Sequence, residues 1–168
     1  MASFSEHIEH AKKNVVFLST INSTIEESWD WQVTVCFYTA LHLINAHIVQ
    51  KSNFNYISHG KVDEIINPYN TVSPAKLGED IYTSYTKLFQ LSRRSRYLLN
   101  DNFNRNTPRE DVLRASFTYS KHLKKAIHHL DLIIHFINVE YSENFPLVDI
   151  KCLDLNGKTF KYFKIVAA

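Results

Sequence analysis

The chain has 168 residues, 45% of them hydrophobic, which is enough for one domain to bury a core without disulfides or metal. Three glycines and four prolines are too few for the many turns of a β-sandwich or barrel, so helices are expected. The formal net charge of +2 conceals a polarised molecule, because residues 87–128 hold ten Lys and Arg against three acids (a local charge of +7) and the remainder stands at −5.

Apolar residues recur at steps of three and four in the first two predicted helices. Residues 4–21 form one such apolar face, and Asn22 or Ser23 is expected to end the first helix. The second helix is predicted over residues 29–49, with Ser28 as its N-cap. This helix is apolar on most sides, as expected of a central helix.

Two further helices are predicted in the middle of the chain. Ser58 is a good N-cap for a short helix over residues 59–67, which Pro68 stops. Ser73 and Pro74 mark the start of another, because proline is favoured in the first turn. Its apolar rhythm continues as far as residue 97.

A capping box predicts the start of the longest helix. Thr107 supplies the N-cap, Pro108 the first helical position and Glu110 the acidic partner three residues on. The apolar stripe that follows extends to Ile137. Asp131 is the isolated acid among the histidines of its second half.

The pattern changes after residue 145. Residues 147–155 and 159–166 are predicted to be two strands joined by a two-residue Asn-Gly turn, a β-hairpin. An isolated hairpin is marginal in water, so it must pack on the bundle or on a partner subunit. The predicted fold class is mainly α: an antiparallel, up-and-down bundle of four to five helices over residues 1–145, with a small C-terminal β-hairpin over residues 146–168.

The arginines suggest the partner. All six lie between positions 93 and 114, and arginine grips phosphates with a planar fork of donors. The candidate nucleic-acid- or nucleotide-binding residues are Arg93, Arg94, Arg96 and Tyr97. The competing interpretation is that the first two arginines are merely solvated and that Arg96 pairs with an acid such as Asp30 or Asp63.

Four segments together resemble a known family. They are residues 30–42, which include Phe-Tyr-x-Ala-Leu-His, then Ser58-His59, then residues 91–97 with Ser-x-x-x-Arg-Tyr, and the capping box at residues 107–111. Across roughly residues 4–140 the chain resembles bacterial members of the HEPN superfamily. That resemblance implies a four-helix up-and-down bundle that commonly dimerises, and many such proteins are metal-independent ribonucleases.

The chain departs from the usual signature of those ribonucleases, an arginine followed after four to six residues by a histidine. No histidine follows the three clustered arginines within that range, and Arg114 and His122 have seven residues between them. On one helix that spacing places two side chains more than two turns apart. The resemblance is therefore to a divergent HEPN-like protein.

The candidate catalytic residues are His59, His42 and Arg96. A neutral imidazole at a helix N-terminus could deprotonate a ribose 2′-hydroxyl while an arginine stabilises the phosphorane. The alternative is that His42, in an apolar helix, is a satisfied core residue. The sequence leaves open whether the protein is an enzyme.

No cofactor motif is present, and the nine histidines lack the spacing of a metal site. Together with the arginine cluster and the HEPN resemblance, the sequence favours a HEPN-like bundle that binds RNA or a nucleotide. We expect it to be cytoplasmic, homodimeric and not associated with a membrane. A divergent metal-independent endoribonuclease or toxin-type activity is left open. The alternative function is a non-catalytic dimerisation or protein-interaction module built on the hairpin.

Overall fold

The structure is a computed structural model that describes residues 2–55, 58–98 and 117–167. Within these ranges the helices are α1 (Phe4–Thr24), α2 (Trp29–Ser52), α3 (His59–Ile66), α4 (Glu79–Tyr97) and α5 (Ser120–Tyr141). Two short strands follow, β1 (Val148–Lys151) and β2 (Phe163–Val166), with a 3₁₀ turn, Leu153–Leu155, between them. The predicted class, a mainly α-helical protein with a small C-terminal sheet, is confirmed.

Helix α2 is the centre of the bundle and packs against α1, α3, α4 and α5. Successive long helices run antiparallel: Asn22 near the end of α1 bonds Gln32 near the start of α2 at 2.8 Å. Arg94 near the end of α4 likewise donates to the Phe117 carbonyl, just before α5 begins, at 3.2 Å. By length and composition α2 could cross a membrane, but 72% of its most apolar window is buried inside the fold. A helix at the centre of a bundle is buried on most sides, which accounts for its apolar composition.

Of the two serines predicted as N-caps, only one caps its helix. Ser58 caps α3 as predicted, because its Oγ accepts the Lys61 backbone N–H at 3.3 Å. Ser28 occupies the N-cap position of α2, yet its hydroxyl donates to the Ile25 carbonyl at 3.0 Å instead of capping the helix.

The predicted start of α4 at Ser73 and Pro74 is wrong. The helix begins at Glu79, because the polar groups of the preceding residues bond to neighbouring elements. Ser73 Oγ donates to the Ile65 carbonyl, and the Ala75 carbonyl lies 3.2 Å from His47 Nε2 of α2. These tertiary bonds hold the segment in an irregular path over the core.

The predicted longest helix is not continuous through Tyr119. Tyr119 has extended backbone (φ −128°, ψ 170°), and α5 starts after it. Its N–H donates to His122 Nδ1 at 2.9 Å, a bond made at the helix start. The capping box at residues 107–110 lies outside the described residues.

The predicted hairpin is also wrong, since β1 and β2 are parallel, with Val148 opposite Phe163. A turn does form at Asn156 and Gly157, where the Lys158 N–H donates to the Leu155 carbonyl at 2.9 Å. Asn156 has φ −53° and ψ 134° and Gly157 has φ 74°, the type II pattern. A hairpin turn of type I′ needs positive φ at both positions, so the chain does not reverse into an antiparallel partner.

The C-terminal segment closes the bundle between α1 and α5. Ser19 of α1 donates to the Asp149 carbonyl at 2.8 Å, and the Asn22 amide bonds both N–H and C=O of Lys151 at 2.7 and 3.0 Å. These bonds occupy the edge of β1 that faces away from β2. The segment also adds five buried side chains to the core: Val148, Ile150, Cys152, Leu155 and Phe163.

Candidate nucleic-acid interface

Arg96 is the best-supported side chain of the arginine cluster. Its Nε and Nη2 donate to the carbonyl and hydroxyl oxygens of Ser92, one turn earlier in α4, at 3.3 and 3.1 Å. Its Nη1 donates to the Tyr38 hydroxyl of α2 at 3.3 Å. The guanidinium carbon lies 5.1 to 5.7 Å from the ring centres of Tyr97, Phe37 and Tyr38, a distance at which the rings attract a cation.

The pairing of Arg96 with Asp30 or Asp63 is not what the structure shows. Across the described ranges, neither Arg93 nor Arg96 forms an ion pair with a carboxylate. Asp63 instead accepts a hydrogen bond from the Tyr82 hydroxyl at 3.1 Å. The guanidinium of Arg96 is therefore held by neutral polar and aromatic groups, and no carboxylate among the described residues neutralises its charge.

Arg93 and Arg94 leave α4 in different directions. Arg93 is exposed, with its guanidinium carbon 5.9 Å from the Phe89 ring centre. Arg94 donates through Nε and Nη2 to the Phe117 carbonyl, at 3.3 and 3.2 Å. Burial, and then the charge of Arg94, lower the pKa of His122 to about 4. Arg94 therefore joins α4 to the chain entering α5, which the sequence did not predict.

His59 lies beside Arg96, as required if the two were to act together. Its ring centre is 5.1 Å from Phe89 and 5.5 Å from Phe37, the same ring that Arg96 contacts. The pKa of His59 is lowered, first by burial and then by the positive charge of Arg96. Both effects favour the neutral imidazole, whereas the sequence indicated the helix dipole as the cause.

His42 belongs to a different group. Its Nδ1 lies 3.1 Å from His7 Nδ1, and its ring centre is 4.1 Å from that of His10, both on α1. Burial, followed by the charges of His10 and His7, lowers the pKa of His42 to about 4. The structure thus brings Arg96 together with His59 and ties His42 to α1. Despite the three imidazoles, no described group of three or more His, Cys, Asp or Glu could hold a metal ion.

Two exposed aromatic side chains, Tyr38 and Tyr97, flank Arg96, and a third, Trp31, lies on the same helix as Tyr38. Tyr97 is 60% exposed, Tyr38 37% and Trp31 67%. Trp31 and Tyr38 are seven residues apart on α2 and so share one helix face. The periodicity of α2 could not identify this outward face, because the helix is apolar on most sides. We define the arginine–aromatic face by its residues: Tyr38, His59, Phe89, Arg93, Arg96 and Tyr97.

Two clefts lie near the start of α2 and share Glu27, Trp29 and Tyr119 in their walls. Their volumes are about 510 and 470 Å³. Glu26 lines the first and Asp30 the second. Because carboxylates repel phosphate, these clefts suit an anionic ligand less well than the arginine–aromatic face does.

Comparisons with protein-family models, with curated proteins and with solved structures find no match to this chain.

Proposed function

We propose that this protein is a HEPN-like helical bundle that binds single-stranded RNA, or a nucleotide as its smallest unit, through the arginine–aromatic face. The observation that carries the proposal is Arg96, a guanidinium held in place by Ser92 and Tyr38 with no carboxylate partner among the described residues. A positioned, unneutralised arginine beside exposed rings is the combination that single-stranded nucleic acid requires.

Each component has a defined role in the proposal. Arg93 and Arg96 donate to phosphate oxygens, and such charge-assisted bonds are roughly twice as strong as neutral ones. Tyr97 and Tyr38 offer rings on which bases stack, which contributes about 1–3 kcal/mol per base. Arg94 contributes positive charge, while its bonds to the Phe117 carbonyl keep α4 and α5 together.

Salt dependence tests the phosphate contacts. We expect the affinity for a labelled single-stranded RNA, measured by fluorescence anisotropy, to fall between 50 and 200 mM salt, with each phosphate contact adding about 0.7 to the slope of log K against log salt. The double variant Arg93→Gln/Arg96→Gln should lower that slope by about 1.4. Tyr97→Ala should weaken binding with little change in slope, because it removes stacking.

The matched control removes the same charge elsewhere. Lys13→Gln/Lys164→Gln neutralises two exposed lysines, one on α1 and one on β2, and should leave affinity and slope close to those of the unaltered protein. Equal losses in the control and arginine variants would show only a non-specific charge effect. That result, or an affinity indifferent to salt, contradicts the proposal.

The same RNA incubated in EDTA separates binding from cleavage. A neutral His59 beside Arg96 has the parts of a general base and a phosphorane-stabilising cation. Cleavage that is lost in both His59→Ala and Arg96→Gln would extend the proposal to a metal-independent endoribonuclease. Intact RNA that is bound by the protein would assign it a binding role alone.

The alternative function, a dimerisation or protein-interaction module, depended on free strand edges in the C-terminal segment. Ser19 and Asn22 of α1 occupy the outer edge of β1, so pairing across subunits through β1 would first have to displace them. Homodimerisation and a cytoplasmic location stay predictions from the sequence.

A further inference from the structure

A third cleft, of about 380 Å³, lies between α5 and the chain that follows the 3₁₀ turn. Lys124, Lys125 and His129 line it from α5, and Lys158 and Phe160 line it from the C-terminal segment. None of these belongs to the arginine–aromatic face, so the cleft is a separate site. Its volume is at the lower end of the range for small-molecule sites.

The rim of the cleft is cationic and unneutralised. No carboxylate is present among its described lining residues. In the part of the chain that the structure describes, Lys124, Lys125 and Lys158 have no ion-pair partner. Like charges kept close together without counter-ions repel one another, and an anion bound between them would relieve that repulsion.

The positive charge of the cleft also affects the imidazole of His129. His129 Nδ1 lies 3.3 Å from the Ser84 hydroxyl, which joins α5 to α4. Burial, followed by the charges of His128, Lys87 and Lys125, lowers the pKa of His129 to about 4. At neutral pH His129 is therefore an uncharged hydrogen-bonding group in a cationic cleft.

The remaining wall is apolar and firmly held. Leu155 is fully buried, and Phe160 packs partly buried against the core. The Lys158 N–H is bonded to the Leu155 carbonyl at 2.9 Å, and the Asp131 carboxylate fixes the backbone of Lys161. The segment that carries Lys158 is thus fastened at both ends, which keeps the cationic and apolar walls facing one cleft.

We infer that this cleft binds a small phosphomonoester carrying an apolar ring, of the size of a nucleoside monophosphate. The lysines receive the phosphate as point charges, and Phe160, which is only partly buried, receives the ring. A ligand of this class fits the combination of cations and apolar surface better than a free inorganic anion, which would leave the apolar wall unused.

Calorimetric titration of the full chain with AMP, adenosine and inorganic phosphate tests the inference. We expect AMP to bind more tightly than either fragment, because only AMP uses both walls. Lys125→Gln/Lys158→Gln should weaken AMP binding about tenfold or more, since 1.4 kcal/mol corresponds to a factor of ten. The control Lys13→Gln/Lys164→Gln carries the same charge change and should leave AMP affinity unaltered.

A second readout places the ligand. In NMR spectra, AMP should shift the ring signals of His129 and raise its pKa, because a bound phosphate favours the imidazolium. Arg93→Gln/Arg96→Gln should leave AMP binding intact, which separates this site from the proposed RNA surface. The inference is overturned if AMP at about 1 mM gives neither heat nor His129 shifts, or if the arginine variant abolishes binding while the lysine variant does not.

Discussion

Acidification from pH 7 towards pH 4 is expected to destabilise the protein strongly, because four imidazoles are held neutral by the fold. Burial is the largest cause of a pKa lowered to about 4 in each of them: His42, His47, His122 and His129. In the unfolded chain these four imidazoles become protonated as the pH falls through about 6.5. In the folded protein they stay neutral until the pH reaches about 4. Stability is therefore fully present above pH 6.5 and is lost as the pH falls through this window.

The expected slope follows from proton linkage. Each histidine that is protonated in the unfolded chain but neutral in the fold lowers the free energy of unfolding by about 1.4 kcal/mol per pH unit. Urea unfolding at pH 7, 6 and 5 measures the slope. His47→Gln removes one titrating group, whose nitrogens contact the Tyr141 hydroxyl at 2.7 Å and the Ala75 carbonyl at 3.2 Å. The substitution should reduce by one the number of protons taken up on unfolding, and so lower the slope, whatever its effect on the free energy of unfolding at pH 7. A flat pH dependence contradicts this account.

Replacing Asp131 with leucine is expected to cost about 3 kcal/mol and to release β2. The carboxylate of Asp131, only 9% exposed, accepts the backbone N–H groups of Lys161 at 3.0 Å and Tyr162 at 3.0 Å. A hydrogen bond to a charged group contributes about 1.5–3 kcal/mol, and leucine, of similar size, removes both. Urea unfolding at pH 7 measures the loss.

Asp131→Asn is the matched control, because its amide oxygen still accepts hydrogen bonds and should retain part of the stability. Hydrogen exchange locates the effect: in Asp131→Leu the amides of β1 and β2 should exchange faster relative to those of α2. If α2 and the sheet lose protection equally, Asp131 supports the whole bundle and its role as the anchor of β2 is wrong.

The elements that sequence could predict are those whose signals are local. The apolar periodicity of α1 and α2 and the Ser58 cap of α3 were sufficient, because each acts within a few residues. The start of α4 was missed because the bonds of Ser73 and Ala75 go to α3 and α2, which no local pattern reveals. The strand pairing was missed because an Asn-Gly pair is also compatible with a type II turn.

The candidate site shows the same division. The sequence located the arginine cluster, because charge and composition can be read directly. It did not separate Arg94, which bonds the Phe117 carbonyl, from Arg96, which bonds Tyr38. Residues two apart on a helix diverge by about 200°, and only the packing of α4 decides what each side chain contacts. Nor did the sequence separate His42 from His59, since their neighbours lie on α1 and α4.

The position of β1 against α1 has a consequence for synthesis on the ribosome. Ser19 and Asp149 are bonded although 130 residues separate them in the sequence, and Phe163 of β2 supplies a fully buried ring to the same core. Helix α1, which is made before β1, therefore lacks the β1 partners of Ser19 and Asn22 until Lys151 has left the exit tunnel. Contacts of such long range slow folding, so the core of the nascent bundle is not complete until β1 and β2 have been made.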